Sequence, residues 1–320
     1  MLGHSTRRAL IVSAAATGVA AVVVIVLALV SGVGSLAHAF AHVQPHWIVD
    51  LAVAEALTIP FYLLAYRAVL GFGRRPPRLP LVVMLVIAGF GPFALRGGFG
   101  QDQQALRSLD SDPDSARLRI LALSALEWVV LAPAACIASI ALLITGSRAM
   151  GSMLWPWAVI TPVGLAFGLW FTAPEREHRW VRRGPTGAFA RGFDALGIVH
   201  ELLRHPLAGW QAWLGTAGYW VCDIAALYAA CRLFGLRLNA GEVIVAYGTG
   251  YVLTRRALPL AGAGITEFLL TYALHWIGEP LGAALAAVVA YRLFNFGLAA
   301  TPALLAHHQL DRWVSRARAR

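Results

Sequence analysis

The chain has 320 residues, of which 59% are hydrophobic and only 13% are charged, and its mean hydropathy is +0.67. Because soluble domains contain about 25% charged residues, this composition excludes an ordinary soluble domain and indicates a membrane protein. A net charge of +10 would suggest nucleic-acid binding in a polar chain, but the apolar content argues against that class.

All 26 basic residues are arginines, and no lysine is present. The chain therefore excludes mechanisms that need a lysine amine, such as a Schiff base or a phosphate-binding loop lysine. We predict no cofactor and no metal site.

The apolar segments predict the fold class, because a helix needs about 20 mostly apolar residues to cross the hydrocarbon of a bilayer. Gly/Pro breaks interrupt two of the segments, 79–95 and 258–277, and these two are the least suited to span. We predict an all-α polytopic membrane protein with seven or eight transmembrane helices plus broken or re-entrant segments. In chain order the segments are 9–30, 47–66, 79–95, 120–145, 153–173, 207–230, 243–254, 258–277 and 281–306.

The arginines predict the orientation, because cytoplasmic loops of membrane proteins are rich in basic residues. Six arginines lie in 174–206, four follow Ala306, three lie in 71–80, and none lies in 31–46. All the rich regions and both termini should be cytoplasmic, at the plasma membrane. Five full crossings before residue 174 would put the six-arginine region outside. One segment must therefore enter and leave on one side, and 79–95 is the best candidate.

An internal repeat is suggested by two charged pairs. Asp102 and Glu127 are 25 residues apart, as are Glu267 and Arg292, and the pairs are offset by 165 residues. Each follows a glycine-rich bend, so 79–145 and 243–306 are candidate repeats. Transporters often contain such repeats, with the substrate site where broken helices meet.

The second of these regions resembles a known family, the lysylphosphatidylglycerol synthase transmembrane region. That family has a Pro/Gly-rich bend, a glutamate, and a Tyr-Arg pair one helix later. Arg96 and the glycines after it, followed by Glu127, resemble its weaker first-half motif, although Gln101-Asp102 stands where the family usually has Gly-Glu. The hydropathy pattern fits from about residue 9 to 306. The residues that match the second-half motif are Arg256, Pro259, Gly262, Gly264, Glu267, Tyr291 and Arg292.

The resemblance implies a single flippase-like membrane domain over 1–306, with a basic cytoplasmic loop at 174–206 and a basic cytoplasmic tail at 307–320. In bifunctional members a separate soluble domain transfers the amino acid to lipid. Only fourteen residues follow Ala306, so we expect no synthase activity and do not expect an enzyme.

The candidate substrate site centres on Glu267 and Arg292, because ions in hydrocarbon are costly and normally have a partner or a function. The planar guanidinium of Arg292 could hold a lipid phosphate, and Glu267 could balance its charge in the empty site. Backbone amides at Gly262 and Gly264 could meet an anionic headgroup. The alternative is a purely structural ion pair.

Four further residues are weaker candidates. Glu127 and Asp223 are lone acids in apolar helices, where proton relay, headgroup binding and structural pairing with an arginine all remain open. Arg96 and Asp102 border the first broken segment and could line the substrate path.

We therefore expect a translocase that moves an anionic phospholipid or a lipid-linked intermediate between leaflets. An intramembrane enzyme acting on a polyprenyl or phospholipid substrate is the second possibility. A third is a non-transporting partner of a cell-envelope complex.

Overall fold

The computed structural model describes residues 4–73, 75–90, 106, 113–147, 149–171, 188–251 and 263–318, and every regular element within these ranges is a helix. The helices are α1 (His4–Ser31), α2 (Val33–Ala41), α3 (Trp47–Gly71), α4 (Leu79–Ala88), α5 (Pro113–Thr145), α6 (Gly151–Trp155), a π-helical turn (Pro156–Ile160), α7 (Thr161–Phe171), α8 (Ala188–Arg204), α9 (Trp210–Leu233), α10 (Ala240–Tyr251), α11 (Ile265–Trp276) and α12 (Leu281–Arg318).

The fold is that of an all-α polytopic membrane protein, as predicted. Among the described residues, five helices are long and apolar enough to cross a membrane. The predicted seven or eight crossings exceed this number because proline and glycine divide the other apolar segments into shorter helices. Pro156, for example, begins the π-helical turn between α6 and α7. The five long segments are Ala14–Ser31, Trp47–Gly71, Leu118–Thr145, Trp210–Leu233 and Leu281–Arg316.

Two ends of the helical bundle can be distinguished by the contacts between helix termini. At one end, the Gln44 amide donates to the Leu233 carbonyl at 2.8 Å, so α9 finishes where α3 begins. At the other end, Arg119 of α5 donates to the Val69 and Leu70 carbonyls at 3.2 and 3.4 Å and also to the Phe72 carbonyl. Arginine therefore caps the carbonyl terminus of α3, where cations are favourable.

Arginine content differs between these ends. The end of α3 leads to Arg75 and Arg78, and α8 and α12 finish beside Arg204 and Arg316. We call this the arginine-rich end. The end that holds the Gln44–Leu233 contact is the arginine-poor end. The 38-residue α12 is about 57 Å long and starts at the arginine-poor end, where Gly282 packs on Ser35, so it reaches the opposite end.

Helices α10 and α11 form a hairpin that enters and leaves at the arginine-poor end. Each has 12 residues, about 18 Å, which is too short to cross about 30 Å of hydrocarbon. Near the start of α10, Glu242 accepts a bond from Ser147 at 3.0 Å. At the finish of α11, the Trp276 carbonyl accepts from the Met150 amide at 3.0 Å. Because both outer ends contact the same short loop, the pair is re-entrant.

The start of α11 packs on the middle of α1. At Gly264 the backbone φ is +82°, a left-handed conformation that glycine adopts readily. A Cβ there would lie 2.9 Å from Val23 Cγ2 and 3.3 Å from Val19 Cγ1. The start of α11 therefore lies at the depth of the centre of a membrane-spanning helix.

A second segment returns to the end from which it enters. Helix α4 starts from the arginine-rich end and has ten residues, about 15 Å. Helix α5 begins again at that end, where Arg119 lies on the terminus of α3. The described ends of this stretch thus lie at the same end of the bundle, as the arginine distribution predicts for 79–95, of which residues 91–95 lie outside the described residues. The two returning segments thus enter from opposite ends, which is the geometry of an inverted repeat; the repeat in sequence stays a prediction, because the glycines of the first bend lie outside the described residues.

Helices α3 and α9 run antiparallel and pack more extensively than any other described pair. A Cβ on Gly215 would lie 2.4 Å from the Ala65 amide nitrogen and 2.7 Å from the Phe61 carbonyl oxygen. Only glycine allows this separation of the two backbones. The crossing brings Glu55 of α3 and Asp223 of α9 to similar depths, because each lies eight to ten residues from it toward the arginine-poor end.

Candidate functional site

Three helices place charged side chains near the centre of the membrane. Glu55 is eight residues into α3, Asp223 is ten residues from the finish of α9, and Arg292 is eleven residues into α12. At 1.5 Å per residue these positions are about 12–17 Å from the arginine-poor end, close to the middle of a 30 Å hydrocarbon layer. All three side chains are buried.

The strongest contact at this depth is an ion pair between Glu267 and Arg292. Arg292 Nε donates to Glu267 Oε1 at 2.7 Å, and the residues are 2% and 8% exposed. The other carboxylate oxygen accepts the Gly264 amide at 2.7 Å, which completes the cap at the start of α11. The guanidinium also lies over the Phe296 ring, with Cζ 4.2 Å from its centroid. Charge pairing, a cap and a cation–π contact thus hold the two ions in place.

A chain of tyrosine hydroxyls links this pair to Asp223. Arg292 donates through a terminal guanidinium nitrogen to the Tyr251 hydroxyl at 3.3 Å. The hydroxyls of Tyr251 and Tyr291 are 2.7 Å apart, and Tyr291 donates to Asp223 Oδ1 at 2.7 Å. Because the hydroxyl of Tyr291 already donates its hydrogen bond to Asp223, Tyr251 must be the donor between the two tyrosines. Every bond therefore points from the cation toward the carboxylate.

The carboxylate of Asp223 accepts hydrogen bonds from tyrosine hydroxyls on three helices. Besides Tyr291 of α12, its Oδ2 accepts from Tyr247 of α10 and from Tyr219 of α9 at 3.3 Å. Three donors satisfy much of the hydrogen-bonding capacity of a buried carboxylate without a directly bonded cation. This arrangement joins the re-entrant hairpin to both α9 and α12.

Glu55 adds a third carboxylate. Its Oε1 accepts from Asn295 Nδ2 at 2.6 Å, one helical turn beyond Arg292, and its main-chain carbonyl accepts from Thr58 at 2.6 Å. The described part of the site thus holds three carboxylates and one guanidinium.

The site includes residues that the sequence did not single out as candidates. Tyrosine and asparagine in apolar helices are compatible with ordinary packing, so residue type alone did not distinguish them. The available signal was position: Asn295 is i+3 and Phe296 is i+4 from Arg292, hence on the same helix face. The added residues are Tyr219, Tyr247, Tyr251, Asn295 and Phe296. Glu55 differs from them, because the sequence marks it as an acid in an apolar segment, with a standing similar to that of Arg96 and Asp102 but no motif beside it.

Five predicted residues are brought together. Glu267, Arg292, Tyr291 and Asp223 belong to one bonded network, and Gly264 bonds to it through its amide. The predicted pairing of Asp223 with an arginine is replaced by an indirect connection to Arg292 through two hydroxyls.

Glu127 is attached to the edge of the site. It is buried on α5, and its main-chain carbonyl accepts from Trp220 Nε1 at 2.9 Å. The Trp220 ring in turn packs on Tyr247, with centroids 5.6 Å apart. Tryptophan thus connects α5 to the network.

The other predicted site residues lie outside the described residues. They are Arg96, Asp102, Arg256, Pro259 and Gly262. Within the described ranges, no group of three His, Cys, Asp or Glu residues is arranged to hold a metal ion.

The geometry limits what the site can bind. The guanidinium is an anion-binding group whose Nε is occupied by Glu267, so an incoming phosphate would compete with that carboxylate. Phosphate accepts bidentate bonds from arginine, and both anions favour the same planar donor.

Comparison with known proteins identifies the family of the chain. No curated protein matches the chain. A family model described as the lysylphosphatidylglycerol synthase transmembrane region matches residues 13–303, which include every described member of the network. With so much of its length covered, the chain belongs to the lysylphosphatidylglycerol synthase transmembrane-region family.

Proposed function

We propose that this protein is a lipid translocase, which moves an anionic phospholipid or a lipid-linked intermediate between the leaflets of the plasma membrane. The observation that carries the proposal is the Glu267–Arg292 pair, which lies at mid-membrane depth at the start of α11. A cation held at this depth provides an intermediate binding site for a polar headgroup that moves between the two aqueous faces.

In this mechanism the lipid phosphate replaces Glu267 on Arg292. Glu267 keeps the Gly264 amide as a partner, so it can release the guanidinium without becoming an isolated buried charge. Arg292 meanwhile keeps Tyr251 and Phe296, which hold its orientation for the incoming anion. The exchange replaces the charge-assisted hydrogen bond from Arg292 to Glu267 with one from Arg292 to the phosphate.

Access from the two leaflets would use the two re-entrant segments. The α10–α11 hairpin opens toward the arginine-poor end and the α4 segment toward the arginine-rich end. Movement of one segment at a time would expose the centre to one leaflet at a time. By the positive-inside rule the arginine-rich end, and with it both termini, faces the cytoplasm.

Reconstitution tests the proposal. Vesicles with and without the purified protein would contain fluorescent phosphatidylglycerol, and a membrane-impermeant reductant would quench only the outer leaflet. We expect quenching of the inner pool only in vesicles that contain the protein. A protein that leaves the inner pool protected from the reductant would contradict the proposal and favour a non-transporting partner. Recovery of a chemically altered lipid would instead favour an intramembrane enzyme.

A further inference from the structure

We propose that Arg67 and Arg232 are headgroup sites for anionic phospholipid, one at each face of the membrane. This inference rests on the proposed function and deepens it, since a translocase must collect its lipid from one leaflet and release it to the other. The two arginines lie outside the central network.

The first observation is their placement. Arg67 lies four residues before the finish of α3, and Arg232 lies one residue before the finish of α9. Because α3 and α9 are antiparallel, Arg67 is at the arginine-rich end and Arg232 at the arginine-poor end. They are 165 residues apart, the same offset that separates Glu127 from Arg292.

The second observation is a cavity at Arg67. Its volume is about 400 Å³, and it lies between the finish of α3 and the start of α9. Arg67 and Gln211 supply polar side chains to the cavity. Gly73 and Gly209 have no side chains, so backbone groups form that part of its wall. Within the described chain Arg67 has no hydrogen bond or ion pair, so its guanidinium can bind a ligand.

The third observation is the setting of Arg232. Its Cζ lies 5.5 Å from the centroid of the Trp47 ring and 6.0 Å from that of Tyr228. Its Nε is buried and has no hydrogen-bond partner in the described chain. Ring faces hold a guanidinium by cation–π attraction, and its two terminal nitrogens, unlike the buried Nε, are left for an anion.

Apolar residues beside each arginine indicate that the anion carries acyl chains. Leu207 is 88% exposed and Trp210 is 52% exposed next to the Arg67 cavity. At the other end, Phe40 packs edge-on against Phe234 near the finish of α9 and is itself exposed. Exposed apolar side chains at a membrane surface contact lipid, and tryptophan favours the headgroup level. A phospholipid satisfies the cation and the apolar surface together, whereas a free phosphate satisfies only the cation.

Lipid retention measured by native mass spectrometry tests this proposal on the full chain. The protein would be exchanged into an equimolar mixture of phosphatidylglycerol and phosphatidylcholine. We expect R67Q and R232Q each to retain about fivefold less phosphatidylglycerol, and the double variant to lose the preference. Matched controls are R316Q at the arginine-rich end and R237Q at the arginine-poor end, both exposed and both expected to behave as wild type.

Further variants separate binding from folding and from transport. R67K and R232K retain the charge and should retain most of the preference. Phosphatidylglycerol retention that is equal in R67Q, R232Q and the two controls would overturn the proposal. Displacement of the lipid by inorganic phosphate beyond that caused by chloride at equal ionic strength would also overturn it, by identifying a phosphate-ion site. A wild-type protein that prefers phosphatidylglycerol but does not translocate it would contradict the proposed function alone.

Discussion

Glu267 and Arg292 are 25 residues apart in sequence and form a buried 2.7 Å ion pair between α11 and α12 at the depth of the membrane centre. Both side chains are buried, so each charge depends on the other for stabilisation. The pair also fixes the position of the re-entrant hairpin against the longest helix. The role that we propose in lipid binding therefore falls on two side chains that also hold the structure together.

The strength of this pair can be measured with a double-mutant cycle. E267Q or R292Q alone leaves a buried charge without its counterion, and each should lower the free energy of unfolding by about 3–5 kcal/mol. The double variant removes both charges and should cost clearly less than the sum. Denaturant unfolding in detergent micelles gives the three values. Additive losses would show that the two side chains do not stabilise one another.

The tyrosine chain predicts a specific effect of one hydroxyl. Y291F removes the donor to Asp223 and the acceptor for Tyr251, so unfolding free energy should fall by about 1–3 kcal/mol. Y272F is the matched control, because Tyr272 lies on the neighbouring α11 and its hydroxyl makes no hydrogen bond in the described structure. The melting temperatures of both variants, measured by thermal unfolding, test this prediction. Equal melting temperatures for Y291F and Y272F would refute the role assigned to the chain.

The crossing of α3 and α9 predicts that Gly215 tolerates no side chain. In G215A the new methyl group would meet the Ala65 backbone at 2.4 Å, so the helices must separate, at a cost of about 1–3 kcal/mol. G297A is the control, since a Cβ at Gly297 has no atom within 4 Å among its neighbours. Detergent stability of the two variants would be compared. A stable G215A protein would be inconsistent with the close crossing.

The re-entrant hairpin predicts which sites share a membrane face. Single cysteines at Ala240 and Pro280, on either side of the hairpin, should react with an impermeant maleimide from the same side. A cysteine at Ser315 should react from the opposite side. The natural cysteines Cys136, Cys222 and Cys231 are buried and should contribute little labelling. Labelling of Ala240 and Pro280 variants from opposite sides would mean that 240–280 crosses the membrane.

Much of the fold follows from the sequence because its dominant signal is physical and local. Long apolar segments predict membrane helices, and arginine-rich connections predict the common end at which α3, α8 and α12 finish. The pairing of α10 with α11 is harder to predict from the sequence. Residues 243–254 and 258–277 were read as separate apolar segments, and their pairing at one end depends on contacts with Ser147 and Met150, which are more than 90 residues away.

The candidate site was predictable to the extent that its members are charged. Glu267, Arg292 and Asp223 stand out because ions in apolar segments are costly. Tyr251 and Asn295 do not, since their roles depend on which hydroxyl or amide meets a charge after three helices pack. Glu55 stood out as an acid but had no motif beside it; Asn295, 240 positions later, is its partner.

The most direct test of the central claim is the rate of phosphatidylglycerol translocation by R292Q compared with R316Q and wild type, in vesicles containing equal amounts of correctly folded protein. Glutamine cannot supply the permanent charge or the planar fork that binds a phosphate. The account predicts that R292Q falls to the rate of protein-free vesicles while R316Q keeps the wild-type rate. Translocation by R292Q at the wild-type rate would contradict it.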